Sequence, residues 1–154
     1  MTHRGYRIAL IVPCLNEEIA IPSVIQAFRE ALPVIDIHVF DNASTDATAT
    51  VARKSGAHVI SVPDRGKGNV VRRMFADVEA DIYVMVDGDA TYDAPSVTRL
   101  IDALIDQELD MVVGSRKIAE TPGGEAYRQG HQFGNWLLTT CVKRIFGGQF
   151  VDML

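Results

Sequence analysis

Residues 82–89 read IYVMVDGD, an apolar run of strand length that leads directly into two aspartates separated by one glycine. An unbroken apolar run is typical of a strand that is covered on both faces, as in a parallel sheet packed between helices. Runs of similar length and composition recur along the chain. We therefore predict five strands, at residues 7–12, 35–40, 58–62, 82–86 and 111–113.

The segments between these runs have helical spacing and alanine content, which predicts helices at residues 19–32, 47–55, 68–78 and 96–107. Ser44 and Thr45 offer N-cap oxygens for the second helix, Gly56 suits its left-handed exit, and Pro95 suits the first turn of the fourth. Strands that alternate with helices predict an α/β fold: an open, mostly parallel sheet with helices on both faces.

The composition is that of one globular domain, which we predict to span residues 1–154. The chain is 47% hydrophobic and has a formal charge of -5, which argues against nucleic acid as a partner. The two cysteines, Cys14 and Cys141, lie far apart and predict neither a disulfide framework nor a zinc site. This use of cysteine fits a reducing, cytoplasmic location, and no apolar run reaches the roughly 18 to 20 residues that span a bilayer.

The segment at residues 132–146 mixes aromatic, aliphatic and basic side chains at helical spacing. Burial against the sheet is one interpretation of such an amphipathic helix. Binding to a membrane surface, at the inner face of the membrane, is the other.

The most informative polar element is Asp87-Gly88-Asp89. Two carboxylates around one small residue can bind a divalent cation with oxygen ligands, Mg²⁺ or Mn²⁺, and can face a nucleotide. A polar turn whose aspartates cap the next helix is the alternative. The position directly after a buried strand favours the metal, because ligands of open α/β sheets bind beyond the carboxyl ends of the strands.

Three further polar loops follow predicted strands, and each has a structural alternative. Asp41 and Asn42 can read the edge of a base or close an Asx-turn, and Asn16 and Glu17 can contact a ligand or begin a helix. The loop at residues 65–69, RGKGN, can bring a cation and backbone N–H groups to an anion, or can simply be flexible. It matches neither a Walker A loop nor a dinucleotide fingerprint.

In this order the motifs PCLNE, DNASTD, GKGN, DGD and GSR resemble those of GT-A glycosyltransferases of the large inverting family. The resemblance covers residues 8–154 and is greatest to polyprenyl-phosphate and dolichyl-phosphate sugar synthases. It implies a GT-A, Rossmann-like fold and an enzyme that transfers a hexose from a UDP- or GDP-sugar to a polyprenyl phosphate, with inversion and with Mg²⁺ or Mn²⁺. Such an enzyme would serve the cell envelope at a membrane.

The resemblance also implies the residues of the site. Asp89, together with Asp87, would bind the metal that stabilises the leaving nucleotide. The residues that would hold the nucleotide sugar are Pro13, Leu15, Asn16, Glu17, Asp41, Asn42, Lys67, Asp87 and Gly88.

On the acceptor side the resemblance places Arg116, Arg128 and Asp152, with Asp89 as the fourth catalytic residue. The arginines would compensate the charge of an acceptor phosphate that is already ionised at neutral pH. A loop salt bridge for Arg116, an exposed helix charge for Arg128 and a terminal position without a role for Asp152 are the alternatives.

The chain departs from the family pattern in three places, one of which follows the metal motif: Ala90-Thr91-Tyr92-Asp93 stands where Leu-Gln is common in the lipid-phosphate enzymes. Asp41-Asn42-Ala43-Ser44 stands where Asp-Asp-Gly-Ser is common, which leaves the base open. Relatives continue beyond the aspartate that matches Asp152, so we expect a domain truncated at its C-terminus. A saccharide or small-metabolite acceptor is the alternative activity, and a nucleotide-binding or oligomerisation module without turnover is the alternative without catalysis. Assembly of the protein into a homo-oligomer is left open.

Overall fold

The computed structural model describes residues 2–114 of the 154. Nearly all of this part belongs to one compact unit, Met1–Val112, whereas Val113–Leu154 forms a second unit. The predicted helix at residues 132–146 and the predicted site residues Arg116, Arg128 and Asp152 lie outside the described residues. Their assignments, and that of a single domain over residues 1–154, stay predictions.

The described part consists of four strands that alternate with four helices. The strands are β1 (Ile8–Cys14), β2 (Asp36–Asp41), β3 (His58–Ser61) and β4 (Ile82–Met85). The helices are α1 (Ile21–Ala31), α2 (Thr48–Lys54), α3 (Lys67–Asp77) and α4 (Val97–Asp106), the last preceded by a short 3₁₀ helix at Ala94–Ser96. The four strands and four helices predicted within residues 7–107 are thus confirmed, with bounds that differ by up to two residues.

All strand pairs are parallel, and the order in the sheet is β3-β2-β1-β4. The chain first builds the sheet outward from β1 to β3, then returns to the other side of β1 to form β4. This reversal of strand order between β1 and β4 marks the carboxyl edge beside them as the crevice in which open α/β sheets bind ligands.

Helices cover both faces of the sheet, as predicted. Leu10 and Val12 of β1 face the larger core, which includes side chains from α1, α2 and α4, while Ala9 and Ile11 face a smaller core that includes Val70 and Met74 of α3. Because side chains of a strand alternate between faces, β1 is buried on both sides, which explains its unbroken apolar sequence. Full burial of each such aliphatic side chain contributes about 1.5–3 kcal/mol.

Three local predictions have different outcomes. Gly56 has φ +85° at the end of α2, and Pro95 occupies the first turn of the 3₁₀ helix, both as expected. The prediction of a fifth strand at residues 111–113 is wrong. These residues have no strand structure, and Met111 and Val113 are 75% and 74% exposed. Their apolar character alone did not specify a pairing partner.

Candidate active site

The carboxyl ends of β1, β2 and β4, together with the loop before α3, bring the predicted donor-side residues to one edge of the sheet. Backbone hydrogen bonds fix this edge: Asn42 N donates to Cys14 O over 2.9 Å, and Val62 N donates to Asp41 O over 2.8 Å. The edge is therefore continuous from β1 through β2 to the residue that follows β3.

Two loops of this edge are joined by side-chain hydrogen bonds, and we call the contact between residues 15–20 and 42–48 the loop joint. Asn16 N donates to Ser44 Oγ over 3.0 Å, and Thr45 N donates to Asn16 Oδ1 over 2.8 Å. Asn16 has φ +59°, a conformation that asparagine tolerates better than most residues. Each loop therefore donates a backbone hydrogen bond to a side chain of the other loop, and these bonds fix the two loops to each other.

The second half of the loop joint centres on Thr48, which is fully buried. Its Oγ1 accepts a hydrogen bond from Glu17 N over 2.8 Å and donates one to Asp46 Oδ1. Glu18 N donates to Asp46 Oδ2 over 3.2 Å, and Ala47 N donates to Glu18 Oε2 over 2.7 Å. Desolvation raises the pKa of Asp46, but these hydrogen bonds from Thr48 and Glu18 outweigh it and hold the pKa below its usual value.

The loop joint corrects the predicted helix caps. The N-cap of α2 is Ala47, with no side-chain cap, because Ser44 and Thr45 are bound to Asn16 in the other loop. Likewise α1 begins at Ile21, after Ala20, so Asn16 and Glu17 precede the helix. The sequence analysis missed Glu18, Asp46 and Thr48, because hydroxyl and carboxyl side chains near a helix start fit local capping equally well.

Asp41 is the end residue of β2 and is 8% exposed. Within residues 2–114 its Oδ1 is the buried side-chain oxygen that lacks a hydrogen-bond partner. A buried acceptor without a partner costs free energy, on the order of 1–3 kcal/mol. Such an atom at the ligand-binding edge of a sheet is suited to accept a hydrogen bond from a ligand.

Asn42 follows Asp41 and is 6% exposed, but its amide is bonded within the protein. Nδ2 donates to Val62 O over 2.9 Å and to Asp64 O over 2.8 Å, while Oδ1 accepts from Gly66 N over 2.9 Å. The predicted contact of Asn42 with a nucleotide stays a prediction, and both of its N–H groups have protein partners.

The loop at residues 86–93, which we call the acidic loop, carries Asp87, Gly88 and Asp89. Asp87 Oδ1 lies 2.6 Å from Lys67 Nζ, and Tyr92 Oη donates to Asp87 Oδ2 over 3.5 Å. Asp89 is exposed, and its Oδ1 accepts hydrogen bonds from the backbone N and Oγ1 of Thr91. The structure thus brings Lys67 and Asp87 together, as the predicted donor site requires.

Gly88 is buried and lies against β1 and the loop joint. A Cβ at this position would be 2.7 Å from Cys14 Sγ and 3.4 Å from Glu17 Cγ, which is too close to the sulfur for any side chain. The absence of a side chain therefore lets the acidic loop pack directly on the end of β1.

The carboxylates of this edge converge on Cys14, which the sequence analysis did not assign to the site. Burial raises the pKa of the Cys14 thiol, and the charges of Glu17, Asp41, Asp87 and Asp46 raise it further, to about 12. The negative charge of four carboxylates therefore acts on this neutral thiol, and Lys67 is the cation bound to one of them, Asp87. An anionic ligand at this edge requires additional positive charge.

Asp87 and Asp89 are the residues that could hold a divalent cation, since their oxygens suit Mg²⁺ or Mn²⁺. Among residues 2–114, no group of three or more His, Cys, Asp or Glu side chains is arranged to hold a metal ion. Pro13 and Leu15, at the end of β1, complete the predicted donor-side residues on this edge, and Leu15 is 45% exposed. In the same part of the chain, no helix is long and apolar enough to cross a membrane.

Comparisons with known proteins agree on one family. The family model for "Glycosyl transferase family 2" matches residues 9–150. Protein RfbJ of Shigella flexneri is 55% identical over 130 residues, which are 84% of this chain and 99% of RfbJ. Glycosyltransferase AglJ of Haloferax volcanii is 33% identical over 148 residues, which are 96% of this chain and 48% of AglJ.

A solved structure has the same fold. It is glucosyl-3-phosphoglycerate synthase from Mycobacterium tuberculosis in complex with Mn²⁺, UDP-glucose and phosphoglyceric acid, with 34% identity and a TM-score of 0.58. The match covers 66% of this chain and 40% of that one, so the chain spans less than half the length of this relative and of AglJ. The predicted GT-A, Rossmann-like fold is confirmed, and the chain belongs to glycosyl transferase family 2.

Proposed function

We propose that this chain is the donor-binding part of an inverting glycosyltransferase, which moves a hexose from a UDP- or GDP-sugar to a polyprenyl phosphate with Mg²⁺ or Mn²⁺. The observation that carries the proposal is the buried, unpartnered Oδ1 of Asp41 on the same edge as the Lys67–Asp87 pair. One group suits a base and the other suits a diphosphate, which are two parts of a nucleotide-sugar donor.

Asp41 would recognise the base. Uracil and guanine both present a ring N–H, and a carboxylate oxygen can accept its hydrogen bond. The protein leaves this acceptor unsatisfied at about 8% exposure, so a base that supplies the hydrogen bond would remove a cost that the free protein carries. This chemistry suits either base, so UDP and GDP both remain candidate donors.

Lys67 would bind the diphosphate. Its side chain is 62% exposed, and its partner Asp87 is 38% exposed. Ion pairs at such exposure contribute only about 0–1 kcal/mol, so the ammonium can exchange this carboxylate for a phosphate oxygen at small cost. Lys67 is also the first residue of α3, where the helix dipole favours an anion.

Asp87 and Asp89 would hold the divalent cation. Their carboxylate oxygens fit Mg²⁺ and Mn²⁺, and because two side chains do not complete the coordination shell, phosphate oxygens of the donor would supply further ligands. When bound, the cation supplies Lewis-acid stabilisation of the charge that develops on the leaving nucleotide. The relative crystallised with Mn²⁺ and UDP-glucose supports this assignment.

The polyprenyl phosphate acceptor rests on the motifs after residue 114. An ionised phosphate needs charge compensation rather than deprotonation to approach the donor, and Arg116 and Arg128 would supply it. Asp152 would complete the acceptor side. A location at the inner face of a membrane follows from a lipid acceptor and is part of the same proposal.

A second candidate acceptor is a small phosphorylated metabolite, which the solved complex with phosphoglyceric acid favours. The same two arginines suit either acceptor, since both present a phosphate.

Acceptor profiling tests the proposal. The protein is incubated with Mn²⁺ and radiolabelled UDP- or GDP-hexose, together with polyprenyl phosphate, phosphoglyceric acid or a saccharide. Label in the lipid extract that requires polyprenyl phosphate is the expected result. Label only in a water-soluble product contradicts the lipid acceptor, and binding of nucleotide without transfer to any acceptor contradicts the enzyme.

A further inference from the structure

Asn42 bridges two parts, separated in sequence, of the carboxyl edge of the sheet that carries the predicted donor-side residues, which we call the donor edge. It lies at the end of β2, and its three side-chain hydrogen bonds reach Val62, Asp64 and Gly66, at distances of 2.8 to 2.9 Å. These bonds span the whole connection between β3 and α3. One buried amide therefore fixes both ends of a loop that begins 20 residues later in the chain.

The loop between β3 and α3 depends on such an anchor. Residues 63–66 are exposed, and Gly66 has φ +128°, a conformation that restricts the position to glycine. A short exposed loop with proline and glycine buries little apolar surface of its own. The hydrogen bond from Gly66 N to Asn42 Oδ1 fixes the position of the Gly66 backbone N–H group, directly before α3 begins at Lys67.

Lys67 follows Gly66 directly and is the first residue of α3. The orientation of the peptide group at Gly66 therefore determines where the Lys67 side chain leaves the backbone. In the structure this side chain reaches across the crevice to Asp87, with 2.6 Å between Nζ and Oδ1. A displacement of about 1 Å at the base of the helix would move the ammonium away from the diphosphate position.

We propose that Asn42 is a positioning residue, whose buried amide holds the β3–α3 loop so that Lys67 meets the donor's diphosphate beside Asp87. This role rests on the proposed function and deepens it, since Asn42 acts through Lys67 and not on the base. The two N–H groups of the Asn42 amide already donate hydrogen bonds, to Val62 O and to Asp64 O. A base contact through the same N–H groups would break a buried hydrogen bond.

The test is a coupling measurement with UDP and GDP as probes, in the presence of Mn²⁺. Affinities are measured by calorimetry for the wild type, Asn42→Ser, Lys67→Met and the double variant. We expect Asn42→Ser to weaken both nucleotides about tenfold, a loss of about 1.4 kcal/mol. In the Lys67→Met background the same substitution should change the affinity less than about twofold, since the group it positions is gone.

Two results would overturn the role. An equal loss from Asn42→Ser with and without Lys67 would show that the amide does not act through the lysine. A loss confined to UDP or to GDP would show that it reads the base. Asn42→Thr is closer to asparagine in volume and is uncharged, so it replaces Asn42→Ser if that variant does not fold.

A second readout does not depend on nucleotide binding. Hydrogen exchange at Gly66 N–H and the reactivity of Lys67 toward an amine reagent are compared between wild type and Asn42→Ser, with Gln26→Ala as the control. Gln26 carries an exposed amide bonded to Glu30 on α1. Faster exchange at Gly66 and greater reactivity of Lys67 support the role, and unchanged values contradict it even if neither nucleotide binds.

Discussion

The donor edge has two halves that are built differently. In the loop joint, backbone N–H groups of each loop donate to side chains of the other, and Thr48 at its centre is fully buried. In the acidic loop, Asp89 is exposed and accepts hydrogen bonds from Thr91 two residues away. Under the proposed function, the side that would bind the base is organised by hydrogen bonds before a donor arrives, whereas the side that would bind the metal has an exposed carboxylate that a cation can reach.

The two halves meet at Gly88 of the acidic loop, which lies against Glu17 of the loop joint and against Cys14 at the end of β1. The carboxylates of the acidic loop therefore flank a glycine, Gly88, that is itself buried against the end of β1. Preorganised groups lose less conformational entropy when a ligand binds, which favours rigidity next to the base. Under the proposed function, exposure of the acidic loop would let a hydrated cation enter with the diphosphate.

The reactivity of Cys14 tests whether the edge stays closed, and it has the largest expected effect. With Cys141 replaced by serine, Cys14 should react with a thiol reagent at pH 8 on the order of a thousandfold more slowly than in the unfolded chain, because its pKa is raised from 9.0 to about 12. Labelling followed by mass spectrometry with and without denaturant measures the ratio. Equal rates would mean that the contact opens readily.

The same pKa shift predicts a direction for stability. The folded pKa of Cys14 lies above the unfolded value, so its contribution is complete below pH 9.0 and is lost as the pH rises toward about 12. Denaturant unfolding of the wild type and Cys14→Ala across this range isolates the effect, since only the wild type should lose this contribution.

Substitution of Asp41 tests separately whether its unpartnered oxygen lowers the stability of the protein and whether that oxygen binds the base. We expect Asp41→Asn to weaken UDP and GDP binding roughly 10- to 100-fold, because a charged hydrogen bond is lost, while the melting temperature stays equal or rises. Asp36→Asn is the matched control, since Asp36 lies at the exposed start of the same strand. Unchanged affinity in Asp41→Asn would exclude Asp41 from the base contact.

Gly88→Ala tests the contact between the two halves. The new Cβ would lie 2.7 Å from Cys14 Sγ, so we expect a loss of about 1–3 kcal/mol in the free energy of unfolding. Replacing Cys14 by alanine in the same protein should recover most of the loss. Gly68→Ala serves as control, because its Cβ would meet nothing within 4 Å. Equal effects at Gly88 and Gly68 would contradict the close approach.

Ala43→Gly gives the smallest effect, and it is a gain. Ala43 has φ +58° in the loop joint, a left-handed conformation that costs alanine more than glycine. Relief of this strain should raise the free energy of unfolding by about 0.5–1 kcal/mol. Ala76→Gly, in an exposed part of α3, should lower it by a similar amount. A loss at both positions would mean that the joint carries no such strain.

The sequence was sufficient for the fold because β1 is buried on both faces and its apolar run reflects this directly. It was also sufficient to place Asp41, Lys67 and Asp87 on one edge, since parallel strands end on the same side. The segment at residues 111–113 is apolar but forms no strand, because an apolar run does not by itself determine which strand it pairs with.

The loop joint could not be predicted, for a physical reason. Ser44, Thr45 and Thr48 have side chains that cap helices as readily as they bond a distant loop, and only the packing of β1 beside β2 decides between these partners. The same holds for Asn42, whose amide could as well face a base as the carbonyls of Val62 and Asp64.

The most direct test of the donor site is a titration of UDP and GDP, with and without Mn²⁺, against the wild type and Asp89→Asn. This substitution keeps an oxygen for Thr91 but removes the charge, and Asp93→Asn in the same loop is the control. We predict that Mn²⁺ tightens nucleotide binding to the wild type and to Asp93→Asn, and that Asp89→Asn loses this gain. Binding that is independent of the metal and unchanged in Asp89→Asn would contradict a cation held at this edge of the sheet.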